Sequence, residues 1–390
     1  MTVVRTQVGI VGAGPAGLLL SHLLAAAGIE SVVIDSRSRD EIENTVRAGI
    51  IEDWLIQLLK DSGGSDRVLR DAQPHQGIEL RFDGAGHRID FHALVGRDVW
   101  LYPQHEVLRD LIAARMAGGQ DLRFGVLAQT AHDVGERAVI ETTTAEAEAI
   151  TIEAEFVVGA DGSRSVVREA VTGSQTDGYF KEYPFAWFGI LCEAPPSAPE
   201  LIYSNSPQGF ALISQRSQTV QRMYLQCDPD QDPDALTDDE VWEALRARLA
   251  PHPLADGPIF QRDVLRFRSF VASALQRGRL ALVGDAAHTV PPTGAKGLNL
   301  AAADVVILAR ALEALLLRGD RTEIERYPEV ALKRIWKAQQ FSYWMTSMLH
   351  TVPGTTEFDR LRQLGELYSV IESEAGQRFL AEAYTGWPLH

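Results

Sequence analysis

The chain has 390 residues, enough for two or three domains at roughly 150 residues each and for a large buried core. Its 37 Lys and Arg against 53 Asp and Glu give a formal charge of −16, which argues against nucleic acid or an anionic membrane as a partner. A 45% hydrophobic, 23% charged composition excludes a disordered chain, and two cysteines, Cys192 and Cys227, build neither a disulfide scaffold nor a cysteine metal site, so no metal and a reducing cytoplasmic setting are expected.

The apolar stretch 8–29 imitates a secretory signal, but its early glycines and Pro15, then Ser21 and His22, predict instead a strand over 7–11, a helix over 15–27 closed by Gly28, and a second strand over 31–34. This is the opening of a parallel sheet with its crossover helix. Within 100–117, Val107, Leu108, Leu111 and Ile112 recur at helical spacing, and 121–152 alternates like short antiparallel strands. Residues 156–158 read as a further buried strand. From 185 to 268, prolines, aromatics and period-two runs predict an inserted antiparallel sheet with one acidic helix over 238–249. A strand over 280–283 and a helix over 298–317 follow, and the chain is mostly helical from 327. Leu361, Leu364, Tyr368 and Ile371 form a stripe read mainly as core packing.

Three motifs carry chemistry. Gly12, Ala13, Gly14, Pro15, Ala16 and Gly17 fit G-x-G-x-x-G between a strand and a helix, and Asp35 ends the next strand 18 residues after Gly17, where a carboxylate can accept from ribose hydroxyls. A glycine-rich structural turn is the alternative, and it leaves Asp35 unexplained. The second motif is Gly159, Ala160, Asp161 and Gly162, followed by Ser163, Arg164 and Arg168; on local grounds it is equally a plain turn with Asp161 capping a helix. The third runs from Gly284 and Asp285 through His288, Pro291, Pro292, Thr293, Gly294, Ala295 and Lys296 to Gly297, Leu298 and Asn299. There a buried strand delivers Asp285 to a stiff loop, and a helix start offers backbone N–H groups to negative charge. His288 alone reads as a structural histidine.

In this order the motifs resemble those of the single-component flavin-dependent aromatic hydroxylases, and the similarity runs from end to end, most closely over 209–217, 284–299 and 334–344. The resemblance implies an α/β protein. A Rossmann-like FAD-binding domain would comprise 1–72, 102–178 and 269–348, an inserted antiparallel-sheet substrate domain 73–101 and 179–268, and a helical C-terminal region 349–390. It implies FAD held by Gly12, Gly14, Ala16, Gly17, Asp35, Arg47, Gln104, Asp161, Asp285, Lys296, Leu298 and Asn299. NADH or NADPH would be the co-substrate, lying toward Arg47, Arg164, Arg168 and Arg268; the best-known relatives carry histidine at the position of Arg164. A homodimer is expected.

The resemblance further implies hydroxylation of 4-hydroxybenzoate to 3,4-dihydroxybenzoate with O2 through a flavin C4a-hydroperoxide. Ser214, Arg216 and Tyr224 would bind the carboxylate, an assignment that suits an arginine fork with two hydroxyl donors. Tyr203 and Tyr384 would lead the phenol proton to His75, and the Pro292 carbonyl would touch the hydroxylated edge. A hydroxylase of 4-aminobenzoate or another substituted benzoate is the alternative, although an amine needs no deprotonation and gives the tyrosines no task. A non-catalytic carrier on the same FAD fold, or a nicotinamide-only dehydrogenase, would leave Asp285 and the Pro-Pro-Thr-Gly loop unexplained. In residues 35–46, Asp35, Asp40, Glu41 and Glu43 outnumber Arg37 and Arg39, and Thr45 stands where NADPH-specific relatives carry arginine. The segment therefore predicts that NADH is used at least as well as NADPH.

Overall fold

A computed structural model describes residues 2–45 and 49–389. Three sheets organise it. In the first, Thr2–Val11 pairs in parallel with Ser31–Asp35 on one side and Ala149–Gly159 on the other, and Leu280–Leu282 and Leu122–Phe124 extend the two edges in parallel. Val8 and Ile10 are fully buried, and Pro15–Ala26 packs over them as the crossover helix, so the apolar amino-terminal stretch is core. Pro15 opens that helix, where its missing N–H costs nothing, and Gly28 closes it in the left-handed region at φ 77°. Among the described residues no helix is long and apolar enough to cross a membrane.

The second sheet has eight strands in the order His288–Thr289, Ile259–Ala272, Gly178–Glu193, Val220–Cys227, Gly209–Gln215, Leu201–Ser206, Gly77–Phe82 and Ala85–Asp90. One face buries Ile190, Ile202, Ile213 and Met223 against Asp238–Leu249, a helix started by a Thr237–Glu240 capping box. The other face turns Trp187, Tyr203, Phe210, Leu212 and Tyr224 toward the C-terminal helices Thr322–Leu349 and Glu374–Thr385. A small third sheet joins Ile50–Glu52 and Gln73–His75 to Val99–Leu101.

Four readings of the sequence change. The helical pattern of 100–117 is divided by Pro103: Val99–Leu101 is a strand and the helix is Gln104–Ala117. The buried strand at 156–158 is the end of Ala149–Gly159, which pairs antiparallel with Ala138–Thr144 along its first half and lies between parallel neighbours at its end. Leu122–Phe124 joins the parallel sheet rather than the antiparallel arm, because Asp121 O receives the Val33 N–H. In Glu357–Ile371 the fully docked side chains are Gln363, Leu367 and Val370; Leu364, Tyr368 and Ile371 are half-buried and Leu361 is exposed.

Candidate active site

The nucleotide crevice is built mostly from backbone. Gly12 has φ 108°, and a Cβ there would lie 2.3 Å from the Ala160 carbonyl oxygen; a Cβ on Gly17 would lie 1.9 Å from the Gly12 oxygen. These two glycines let strand, turn and helix touch, whereas nothing lies within 4 Å of a Cβ on Gly14, the open side where a pyrophosphate approaches a helix start. Ala16 turns its methyl to Gly284, whose own added Cβ would sit 3.2 Å from it, so Ala16 sets packing between the first and third motifs. Asp35 accepts from Ala13 N at 2.8 Å and from Arg37 through its backbone N–H at 2.9 Å and its guanidinium at 2.9 and 3.0 Å. Those four donors fill the carboxylate, so a ribose hydroxyl reaches Asp35 only by displacing Arg37.

Asp161 receives Val166 N at 2.7 Å on one oxygen while the other, Oδ1, is buried without a partner, and burial raises its pKa against those hydrogen bonds. Asp285 lies exposed on the Gly284–Ala286 turn, whose Gly284 N–H donates to Asp304 at 3.1 Å. His288 Nε2 meets the same Asp304 oxygen at 2.5 Å; burial lowers the imidazole's pKa, but Asp304 outweighs it and the net direction is upward. His288 is thus a structural tie beneath the third motif. Ala295 adopts φ +51°, a left-handed conformation that costs a non-glycine residue about 1–2 kcal/mol, and it turns the chain into the helix Gly297–Arg318. That helix start has no side-chain cap, leaving the N–H groups around Leu298 directed outward.

The Asn299 side chain is turned into the protein. It clamps the edge strand, donating to Ile50 O at 2.9 Å and accepting from Glu52 N at 2.9 Å. Lys296 is buried as well, with Nζ donating to Glu52 at 2.7 Å and to the Tyr384 carbonyl at 2.8 Å, so its charge is neutralised within the protein. Gln104 begins its helix and is half-buried, and Arg47 lies outside the described residues. An open glycine turn, an orphaned buried carboxylate oxygen and an uncapped helix start together suit FAD's phosphates, hydroxyls and ring edge.

Side chains build the substrate end. Asp263, Gly189, Tyr224, Leu212 and Tyr203 form one transverse row across five strands and share a face. Ser214 and Arg216 continue that face from Leu212, and Arg216 Nη1 donates to Ser214 Oγ at 3.1 Å. Burial lowers the Arg216 pKa, opposed by Tyr224, and Arg222 lowers it further. Ser214, Arg216 and Tyr224 are therefore together on one face. Sequence reasoning passed over Arg222, which faces Ser214 across the strands, lies 4.8 Å from the Tyr224 ring and is held by Asp263. No local signal marks it, because its partner Asp263 is two strands away in the sheet order.

Tyr203 and Tyr384 share a hydrogen bond of 2.6 Å, both fully buried, and burial is the first cause that raises both phenols above their ordinary range. His75 does not join them: among the described residues no hydrogen bond links it to Tyr384. Its Nε2 accepts from Gln215 at 3.2 Å, Nδ1 is buried without a partner, and burial lowers its pKa. Pro292 presents its carbonyl in a tight turn where it already accepts from Ala295 N at 2.9 Å. A second unforeseen network braces the wall: Trp187 Nε1 donates to His350 Nε2 at 2.7 Å, His350 Nδ1 donates to Thr346 O, and Thr346 Oγ1 donates to Thr293 beside Pro292. Burial holds His350 neutral, with its pKa down at about 3.

Of the four arginines expected near the coenzyme, Arg47 lies outside the described residues and Arg164 and Arg268 are exposed. Arg168 is buried and its guanidinium is occupied by the carbonyls of Gln175 at 2.8 Å and Ala286 at 3.0 Å, with Ser163 O also in contact. It ties the second motif to the third instead of reaching outward. Arg37 is spent on Asp35, and Arg39 on Glu43 at 2.5 Å.

Residues 5–342 match the family described as FAD binding domain. The chain is 41% identical to p-hydroxybenzoate hydroxylase of Acinetobacter baylyi, covering 100% of this chain and 97% of that protein. It is 28% identical to a 3-(3-hydroxy-phenyl)propionate/3-hydroxycinnamic acid hydroxylase of Burkholderia cenocepacia, over 80% of this chain and 58% of that longer protein. The solved p-nitrophenol 4-monooxygenase of Pseudomonas putida superposes with a TM-score of 0.82 over 99% of both chains at 21% identity, a likeness of fold. The chain belongs to the FAD-dependent aromatic hydroxylases of the p-hydroxybenzoate hydroxylase type.

Proposed function

We propose that the chain hydroxylates 4-hydroxybenzoate to 3,4-dihydroxybenzoate, consuming O2 and NADH or NADPH, with NADH accepted at least as well. The observation that carries this reading is the buried Tyr203–Tyr384 pair at 2.6 Å, in which Tyr203 lies on the same sheet face as Ser214, Arg216 and Tyr224 and Tyr384 reaches it from the helix Glu374–Thr385. A ring with a carboxylate at one end and an ionisable hydroxyl opposite uses both groups of side chains. Its carboxylate takes the Arg216 fork and the hydroxyls of Ser214 and Tyr224. Its phenol donates to Tyr203 Oη, and as the ring becomes the more nucleophilic phenolate, Tyr203 accepts that proton while passing its own to Tyr384, which in turn releases its own proton to water. Trp187, Phe210 and Leu212 exclude water around this transfer. FAD, when bound, supplies the redox chemistry that activates oxygen.

A 4-aminobenzoate hydroxylase would need the same carboxylate group but no phenol-to-phenol path. The test is a substrate screen that follows NADH and NADPH oxidation together with hydroxylated product. Coupled turnover of 4-aminobenzoate with none of 4-hydroxybenzoate would overturn the reading. For the coenzyme, support comes from the ion pairs Arg37–Asp35 and Arg39–Glu43, which leave neither guanidinium waiting for a ribose phosphate.

A further inference from the structure

The carboxylate end of the pocket contains two guanidinium groups where one acid has to be bound. Arg216 and Arg222 lie on the same face on either side of Ser214, and each is close enough to Tyr224 for its charge to be felt there. Among the described residues no carboxylate pairs with Arg216. Arg222, by contrast, is held through Nη2 by both oxygens of Asp263, at 2.5 and 2.6 Å.

That ion pair spans an unusual distance in the sheet. Asp263 is on Ile259–Ala272 and Arg222 on Val220–Cys227, and the strand Gly178–Glu193 runs between them. They meet because Gly189 stands between them: a Cβ there would be 2.6 Å from Arg222 Nη2, 2.7 Å from Asp263 Oδ1 and 2.9 Å from the Tyr224 ring. Arg222 is buried and its Nε has no partner, whereas the Asp263 side chain is 41% exposed. A buried guanidinium without a counter-ion is costly, so the acid at the pocket rim both stabilises Arg222 and cancels its charge.

We propose that Asp263 is a specificity-determining counter-ion: by drawing Arg222 across Gly189 it leaves Arg216 as the one uncompensated charge among the described residues of the pocket, matching it to a ring bearing a single carboxylate. This rests on the carboxylate assignment made above and adds to it the charge state that the pocket selects. A ligand with no carboxylate leaves Arg216 unpaired, and a ring with two must compete with Asp263 for Arg222.

The test uses the FAD-loaded protein and dissociation constants read from the change in flavin absorbance, with 4-hydroxybenzoate and its uncharged analogue 4-hydroxybenzamide as probes. The native protein should prefer the anion. Asp263→Asn removes the charge at nearly constant shape and releases Arg222, so the preference for anion over amide should rise by about tenfold, the scale of one added charge near the site at surface-like dielectric. Asp263→Glu restores the counter-ion and should return the ratio toward native. An Asp263→Asn ratio equal to the native one, with anion preference intact, overturns the counter-ion role alone. Absence of anion preference in the native protein overturns the carboxylate assignment and this inference together.

Discussion

The nucleotide crevice and the substrate pocket are made of different material. The crevice is shaped by what is missing: no Cβ at Gly12 and Gly17, no cap at the start of Gly297–Arg318. The pocket is shaped by what projects from one sheet face: two phenols, two guanidinium groups, a serine and an acid. A backbone-built site tolerates little change in shape but needs few particular side chains. A side-chain-built site keeps its frame when a functional group is removed and loses chemistry instead.

The sharpest break of that contrast is Tyr203→Phe. It removes one hydroxyl from a buried pair, so the fold should persist while the hydroxylation rate falls by roughly 10²-fold or more, the lower end for a lost acid–base group. Coenzyme oxidation should then give mostly hydrogen peroxide. Fully coupled formation of 3,4-dihydroxybenzoate by this variant would remove the phenol pair from the mechanism.

Next is Arg216→Lys, which keeps the charge but loses the fork. Affinity for 4-hydroxybenzoate should weaken by about 1.5–3 kcal/mol with the melting temperature nearly unchanged. An unaltered dissociation constant would take Arg216 out of the site.

Gly17→Ala is the converse. Its added Cβ would lie 1.9 Å from a backbone oxygen, so the strand–helix contact must open, at about 1–3 kcal/mol, and FAD retained per chain after gel filtration should drop. Full FAD occupancy with native melting would mean that the crevice is less backbone-determined than described.

Coenzyme choice is a smaller effect. The acidic 35–46 segment predicts that kcat/KM at low ionic strength is at least as high for NADH as for NADPH, with an NADPH preference of about tenfold, or ~1.4 kcal/mol, as the limit that breaks it. A stronger NADPH preference would show that Arg37 leaves Asp35 to take the extra phosphate.

The smallest effect is a slope. His288 has a folded pKa raised above its ordinary 6.5, so its pairing with Asp304 contributes fully below that pH and is lost as pH rises through the raised value. His288→Gln should flatten the decline in urea stability across that window and lower stability on its acid side, where the pairing contributes fully.

How much could be read in the sequence follows the same division. Gly12 to Gly17, Pro15 and Gly28 declare strand, turn and helix through local stereochemistry, and Thr237 with Glu240 announces its helix to the residue. The 100–117 boundary was missed because Trp100 and Leu101 fit an apolar helical face until Pro103 is weighed. Ser214, Arg216, Tyr203 and Tyr384 became candidates only by resemblance, since nothing local marks them, and Lys296 could not be seen as internal without Glu52, 244 residues away. Asp263 and Arg222 were invisible for the same reason: their meeting depends on the order of three strands.

Tyr384 performs two tasks with two different atoms. Its hydroxyl bonds to Tyr203, and its backbone carbonyl receives Lys296, whose other partner is Glu52 on the small third sheet. The helix Glu374–Thr385 is therefore a bolt and, in the proposed proton transfer, part of the path. If it lifted, the phenol pair would separate and a buried ammonium would lose one of its two oxygen partners in the same movement, so hydrogen exchange in that helix and proton transfer from the ring would report a single event.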